Sequence, residues 1–400
     1  MDLSTGYPFY LIKHGLPFSY PKLEESVKTE VVIVGGGISG ALAAYYLVNA
    51  GVECILVDER TIGLGSTCAS TSLLQYELDK PLSELAELVG YETASRAYQL
   101  CSESIDTLEA ICRKINFKDF ERNESLFFAA TIKDKGLIER EFAIRKRAGF
   151  KVELLDEKQM VKQFGFSAPN AILSEQGAAT NAYMLTHALL KAAEKKGLKV
   201  YDRTAVKDIV YKNSGVELIT SKGFKIKAGK MVNATGYQVT NFIDKDIVKL
   251  NSTYAFASEN FETIEPVLAN RTMFWNTADP YLYIRRTKDN RIIMGGRDEE
   301  FYNPEKRDKL IKKKTKQLVN DFKKLFPDMD MIAEFSWTGT FGSTKDSLPY
   351  IGKYDKTPNA YYSLGFGGNG ITFSVIAAEI IRDLIIGKKN KDAELFSFQR

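Results

Sequence analysis

Three glycines constrain this chain more tightly than anything else in its sequence. Gly35, Gly37 and Gly40 make a GxGxxG turn that follows an apolar, β-branched run at 31–34 and opens a helical stretch at 39–49, closed by Gly51. A continuous apolar run of that kind marks a strand buried on both faces of a parallel sheet. A second one, 54–57, comes straight after the helix, so residues 31–57 read as one strand-helix-strand unit. Outside this context the glycine pattern is weak, but inside it each glycine has a task. Gly35 permits the tight turn, Gly37 lets the backbone approach a pyrophosphate, and Gly40 lets the helix pack closely on the strand. The amides and positive dipole end of the helix, with Ile38 and Ser39 in its first turn, then face the diphosphate of a dinucleotide.

Asp58 stands eighteen residues beyond Gly40, where a carboxylate accepts hydrogen bonds from ribose hydroxyls. An acid there disfavours a 2′-phosphate. Glu59, followed by Arg60, is the neighbouring alternative, but strand alternation turns Glu59 to the other side. NAD and FAD share this fingerprint, so the second strand alone does not choose between them. The run GLGST at 63–67 offers Gly65, Ser66 and Thr67 where a longer dinucleotide continues. Near the other end, Gly365, Gly367, Gly368 and Gly370 surround Asn369 and open a helix at about 371–386 that starts with Ile371 and Thr372. Its amides suit the negative charge of a reduced flavin.

The rest of the sequence narrows the function classes. Four hundred residues suggest two domains. Lys and Arg exceed Asp and Glu by 55 to 51, a surplus too small and too dispersed for DNA or RNA as the main partner. The densest basic run, 309–316, alternates with apolar residues at helical spacing and reads as a solvated helix face. Cys54, Cys68, Cys101 and Cys112 form no CxxC pair and none is near a histidine in sequence, so no metal site is expected. Residues 1–20 lack the features of a signal peptide, and no apolar run is long enough for a transmembrane segment. A cytoplasmic, reduced protein fits these features. Helices are expected at 81–115, 134–147, 156–164, 182–196 and 304–325. Strands are expected at 126–131, 199–201, 230–234, 273–275, 281–284, 291–294 and 360–364, the third leading into Thr235 and Gly236.

Taken in order, the glycine turn, Asp58, the GLGST loop, Ala234-Thr235-Gly236 and GFGGNGITFS at 365–374 resemble the D-amino-acid oxidase superfamily of FAD-dependent oxidoreductases. The likeness spans about 29–386, and WTGTFGSTKDSLPYIG at 337–352 is most similar to its gamma-glutamylputrescine oxidoreductase branch, with glycine oxidase and sarcosine oxidase more distant. The resemblance implies an α/β fold, with a Rossmann-like FAD-binding domain built from the discontinuous segments 1–80, 165–245 and 340–400. An interleaved α+β substrate domain with a mostly antiparallel sheet would come from 81–164 and 246–339. It adds Val206 to the cofactor-binding residues already named. It also implies oxidation of a C–N bond in an amine or amino acid, with hydride passing to flavin N5 and an imine that water hydrolyses. The electron acceptor would be O2, a quinone or a carrier protein.

The departures from the family pattern are informative. Relatives resembling glycine oxidase clamp a substrate carboxylate with the arginine of a GLR triplet, where this chain has Gly339, Thr340 and Phe341. Phe341, Trp337, Tyr281 and Tyr283 offer aromatic surface for a longer amine instead. Arg285 and Arg286 are candidates for a carboxylate anchor elsewhere, with alternation letting only one face a site. The sarcosine-oxidase-like tethering cysteine has no counterpart, since every cysteine precedes Arg113, so FAD is expected to be noncovalent. No catalytic base is assigned. Only His14 and His187 are present, which weighs against the alternative of hydroxy-acid or alcohol oxidation, a reaction that usually calls for a base. A flavin-binding scaffold or tRNA-modification component is the other alternative, and the weak net charge lowers it.

Overall fold

A computed structural model of the chain describes residues 1–241, 243, 247–262 and 271–400. The expected segment boundary at 245 lies outside the described residues. The apolar runs do what their composition dictates. Val27–Val34 and Cys54–Val57 pair in parallel, with Val31, Val32, Ile33, Leu56 and Val57 fully buried. Lys199–Tyr201 extends this sheet on one side and Lys225–Asn233 on the other, both in parallel. Beyond Lys225–Asn233 the sheet divides. Its first half pairs with the hairpin Val206–Lys212 and Gly215–Thr220, and its second half with Ala360–Leu364, which carries Tyr350–Lys353.

A nine-stranded sheet forms the second layer, in the order Ser4–Gly6, Ala333–Ser343, Lys249–Ser258, Ile292–Glu299, Tyr283–Arg286, Thr272–Asn276, Glu124–Phe128, Asn170–Ser174, Val152–Asp156. All its pairings are antiparallel except that of Thr272–Asn276 with Glu124–Phe128. Leu73–Gln75, Gly177–Thr180 and Phe120–Arg122 make a small antiparallel sheet of their own. The fold is α/β.

Helices Ile38–Asn49, Ala182–Glu194, Gly370–Ile385 and Tyr91–Lys114 share one core with the parallel sheet, where Leu42, Leu47, Leu189, Ile105 and Val375 are inaccessible. A separate core seats helix Ile311–Leu325 on the nine-stranded sheet through Leu318, Phe322, Phe256 and Met294. Arg145, on helix Lys135–Arg147, lies wholly buried with Glu141 at 2.7 Å and Glu77 at 3.2 Å. Glu141 also accepts the Leu82 and Ser83 amides at 2.9 and 2.8 Å. It thereby serves helix Leu82–Val89, whose own cap residue, Pro81, offers no side-chain bond.

Several expectations change in detail. The helix at 81–115 is two helices, Leu82–Val89 and Tyr91–Lys114, because Gly90 takes φ +83° between them. The helix at 304–325 breaks at Leu310, whose amide bonds the Arg307 carbonyl in a tighter turn. The strand at 230–234 is the second half of Lys225–Asn233, continuous through Gly229. Strand 281–284 is shifted to Tyr283–Arg286, which leaves Tyr281 in the preceding loop. Ala333–Ser343, the longest strand in the molecule's described residues, was not among those expected.

Candidate functional site

One cavity of about 360 Å³ opens between the two large sheets, within the roughly 300–1,000 Å³ usual for ligand and cofactor sites. At one end lies the glycine turn. Gly35 takes φ +110°, and a Cβ there would fall 2.4 Å from the Ala234 carbonyl oxygen. Gly40 sits outside the cavity against the turn itself, where a Cβ would come within 1.8 Å of the Gly35 oxygen. That is the close packing its place in the motif calls for. Helix Ile38–Asn49 has Gly37 as its cap, so no cap side chain covers its first amides. The Ile38 amide is bonded by the Thr67 hydroxyl at 3.1 Å.

Asp58 follows the second parallel strand and lines the cavity. Its carboxylate accepts the Gly36 amide at 2.6 Å and the Arg60 amide at 2.7 Å, so it shapes the glycine turn as well as facing the space beside it. Each oxygen retains acceptor capacity for a ligand hydroxyl. Burial pushes the carboxyl up to about 6, against the pull of those two amides. Glu59 also lines the cavity, which corrects the expectation that alternation turns it away. The strand has already ended at Val57, so its period no longer applies. Glu59 accepts from Gln238 at 2.8 Å and pairs with Arg60 at 2.8 Å.

Arg60, Gly65, Ser66, Thr67, Val206, Ala234, Thr235 and Gly236 all border the same space. At the far end so do Gly367, Gly368, Asn369, Gly370 and Ile371, at the start of helix Gly370–Ile385. Thr372 does not, since its hydroxyl turns back to the Asn369 carbonyl at 3.0 Å. The two glycine-led helices meet directly: Ser39, which also lines the cavity, is 2.7 Å from Ser374, hydroxyl to hydroxyl. Both helix starts therefore border one space, an arrangement suited to a ligand negative at more than one point.

Of the expected substrate residues, Tyr281, Tyr283 and Phe341 line the cavity. Trp337 and Arg285 do not. Trp337 is buried with its indole N–H on the Ala69 carbonyl at 2.8 Å. Arg285 shares the face of Tyr283, two residues on, but is buried outside the cavity, where its guanidinium donates to the Thr71 and Thr180 carbonyls and the Tyr10 hydroxyl. It is an internal tie, excluded by these bonds and not by alternation, which sets Ile284 on the other face and keeps Tyr283 and Arg285 together.

Sequence reading missed much of this end. Asp79 accepts the Gly368 amide at 2.8 Å and the Tyr281 hydroxyl at 2.9 Å, fixing the glycine loop to the tyrosine wall. Burial pushes its carboxyl up, opposed by those two donors. Thr253, Trp275, Tyr237 and Asp298 also line the cavity, and no motif marks any of them. Neither histidine lines the cavity. His187 is buried, stacked on Tyr20, and burial lowers it to about 4.

The residues present fit FAD. Acidic side chains stand beside the first glycine turn, two helix N-termini meet the same cavity, and an aromatic wall closes its other end. Among the described residues there is no metal-binding cluster and no helix long and apolar enough to cross a membrane. The gamma-glutamylputrescine oxidoreductase of Escherichia coli is 25% identical over 94% of this chain and 87% of its own length. A probable oxidoreductase, OrdL, of Haemophilus influenzae is 21% identical over 95% and 88%. Among solved structures, L-proline dehydrogenase from P. horikoshii superposes with a TM-score of 0.79 at 21% identity, covering 93% of this chain and 97% of that one. Glycine oxidase from Geobacillus kaustophilus gives 0.77 at 20% identity, covering 93% and 99%. The family described as FAD dependent oxidoreductase, DAO, matches residues 30–384, and the chain belongs to it as an FAD-dependent oxidoreductase.

Proposed function

We propose that this oxidoreductase oxidises the C–N bond of a small amine to an imine, which water then hydrolyses. FAD, when bound, supplies the two-electron acceptor for the hydride leaving the carbon beside nitrogen. The chain's own part is to bind, orient and exclude water. Gly35, Gly37 and the first turn of helix Ile38–Asn49 would receive the diphosphate, and Asp58 the adenosine ribose. The loop 365–371 would flank the ring system, fixed in place by Asp79. Tyr281, Tyr283, Trp275 and Phe341 would enclose the substrate's carbons beside it.

The observation that carries the amine reading is the charge of this half of the cavity. Asp79 and Asp298 line it, and among the described lining residues the single guanidinium or ammonium group is that of Arg60, beside Asp58. An amino-acid carboxylate would find no cation here. The absence of histidine from the described lining also weighs against alcohol oxidation. No cysteine or histidine lines the cavity either, in keeping with noncovalent FAD; acid precipitation is expected to release the flavin into solution.

The test is an anaerobic titration of the purified flavoprotein with a panel of primary and secondary amines, α-amino acids and 2-hydroxy acids. Bleaching of the flavin absorption by an amine, with an aldehyde or ketone recovered, is the expected result. Bleaching by hydroxy acids alone would refute it. Reoxidation with O2, a quinone or a carrier protein then identifies the acceptor.

A further inference from the structure

Strand Ile292–Glu299 carries a bulge at the cavity wall. Tyr254 pairs with Gly296 and Ser252 with Glu299, so Thr253 alone faces both Arg297 and Asp298. Such a bulge re-aims side chains that regular alternation would place otherwise. Arg297, at φ +58°, grips both oxygens of Asp321, at 2.7 and 2.6 Å. Lys314 is occupied by Glu299 at 2.6 Å and the Arg297 carbonyl at 2.8 Å. Asp298 turns into the cavity, and its Oδ1 is shielded from solvent with no hydrogen-bond partner. The indole N–H of Trp275, in the same wall, has none either. Buried polar atoms are almost always paired, so the Asp298 oxygen, an acceptor, marks a place where a donor group of a ligand completes the bonding.

The rest of the wall specifies what kind of ligand. Asp79 adds a second acid, and its Tyr281 partner stands 5.9 Å from Tyr283 and 6.3 Å from Trp275, ring centre to ring centre. Aromatic faces attract cations, and an ammonium group has three protons to donate. A carboxylate in this position would stand against two like charges. Burial pushes Asp298 up to about 7, with Asp79 and Asp279 adding to the rise and Thr253 and Lys314 opposing it. A bound cation would relieve that strain on the charged form.

We propose, on the reading of the cavity given above, that Asp298 anchors the protonated nitrogen of an aliphatic amine that bears no carboxylate on the carbon next to it, and takes up one of its protons before hydride leaves that carbon. The bulge that parts Asp298 from Arg297 is what makes the pocket select for positive charge.

Two compounds of one shape test this: tert-butylammonium, which has no hydrogen on the carbon bearing nitrogen and so is not oxidised, and pivalate, its carboxylate counterpart. Their binding to the FAD-loaded protein is read from perturbation of the flavin spectrum and by titration calorimetry. The unmodified protein is expected to bind tert-butylammonium at least about tenfold more tightly than pivalate, and Asp298→Asn to lose most of that preference with flavin content unchanged. Asp298→Glu is expected to recover part of it. Equal or reversed preference in the unmodified protein would overturn the proposal without reliance on any variant. So would an Asn variant that binds as before. If amines reduce the flavin but Asp298→Asn leaves the preference intact, only the anchor falls. If no amine reduces it while the Asp298-dependent preference persists, the anchor stands and the C–N reaction falls.

Discussion

A buried carboxyl with an unpartnered oxygen costs stability only while it is charged, and pH decides when that is. Asp298 rises from 3.8 to about 7 in the folded chain. Below 3.8 it is protonated whether the chain is folded or not. Between those values the folded chain keeps a proton that the unfolded chain has released, so its stabilising contribution is lost as pH climbs through about 7. In cofactor-free protein, Asp298→Asn is therefore expected to gain over the unmodified chain by on the order of 1–2 kcal/mol between about pH 5 and about pH 8. Denaturant melts at several pH values check this, and a gap that stays constant sinks it. Asp58 makes a different prediction, since it bonds the Gly36 and Arg60 amides while facing the nucleotide end. Asp58→Ala is expected to weaken FAD binding about 10- to 100-fold, the worth of one or two hydrogen bonds to a charged group, and Asp58→Asn to lose less. Fluorescence titration of the apoprotein with FAD measures both. Asp58 could be picked out from its distance to Gly40. Asp79 and Asp298 could not, because one acts from an irregular loop and the other is aimed by a bulge, and neither leaves a periodic trace.

Regular segments were legible where a single neighbour decides their pattern. Val31–Val34 and Cys54–Val57 are enclosed on both faces and show it as unbroken apolar runs. Ala333–Ser343 is different. Two glycines, Gly339 and Gly342, interrupt its alternation, and its conformation comes from ten residues of Lys249–Ser258 paired along its length. Only the second half of Lys225–Asn233 is expected from the sequence, and its halves have different neighbours on one side, Gly215–Thr220 and Ala360–Leu364. Strand ladders formed across a hundred residues leave little local signal. At the first helix the local signal is nearly complete, and Gly40 shows why. A methyl group at that position meets the Gly35 carbonyl at 1.8 Å, and backbone has no side-chain freedom with which to yield. Gly40→Ala is expected to destabilise the apoprotein by about 1–3 kcal/mol and to lower FAD affinity as well, since the shift opens the turn. Chemical denaturation and flavin titration of the same sample test the pair. Loss of stability with FAD affinity unchanged would separate helix packing from the nucleotide end.

The cavity belongs to no single stretch of chain. Its lining draws on Gly35, Asp58, Asp79, Val206, Thr253, Asp298, Phe341 and Gly368, taken from both large sheets. A ligand spanning it acts as a clasp between them. FAD at a hundredfold excess over its Kd stabilises by about 2.7 kcal/mol, and for a chain of this size that is about 3 °C in Tm. Differential scanning with increasing FAD measures the rise, and a Tm indifferent to FAD would contradict it. The same dispersal bears on how the protein is made in the cell. Gly35 leaves the ribosome more than three hundred residues before Gly368, and the Ser39–Ser374 contact joins two helix starts just as far apart in the chain. A polypeptide cut before helix Gly370–Ile385 holds only half a cradle, and such truncated products are expected to be colourless.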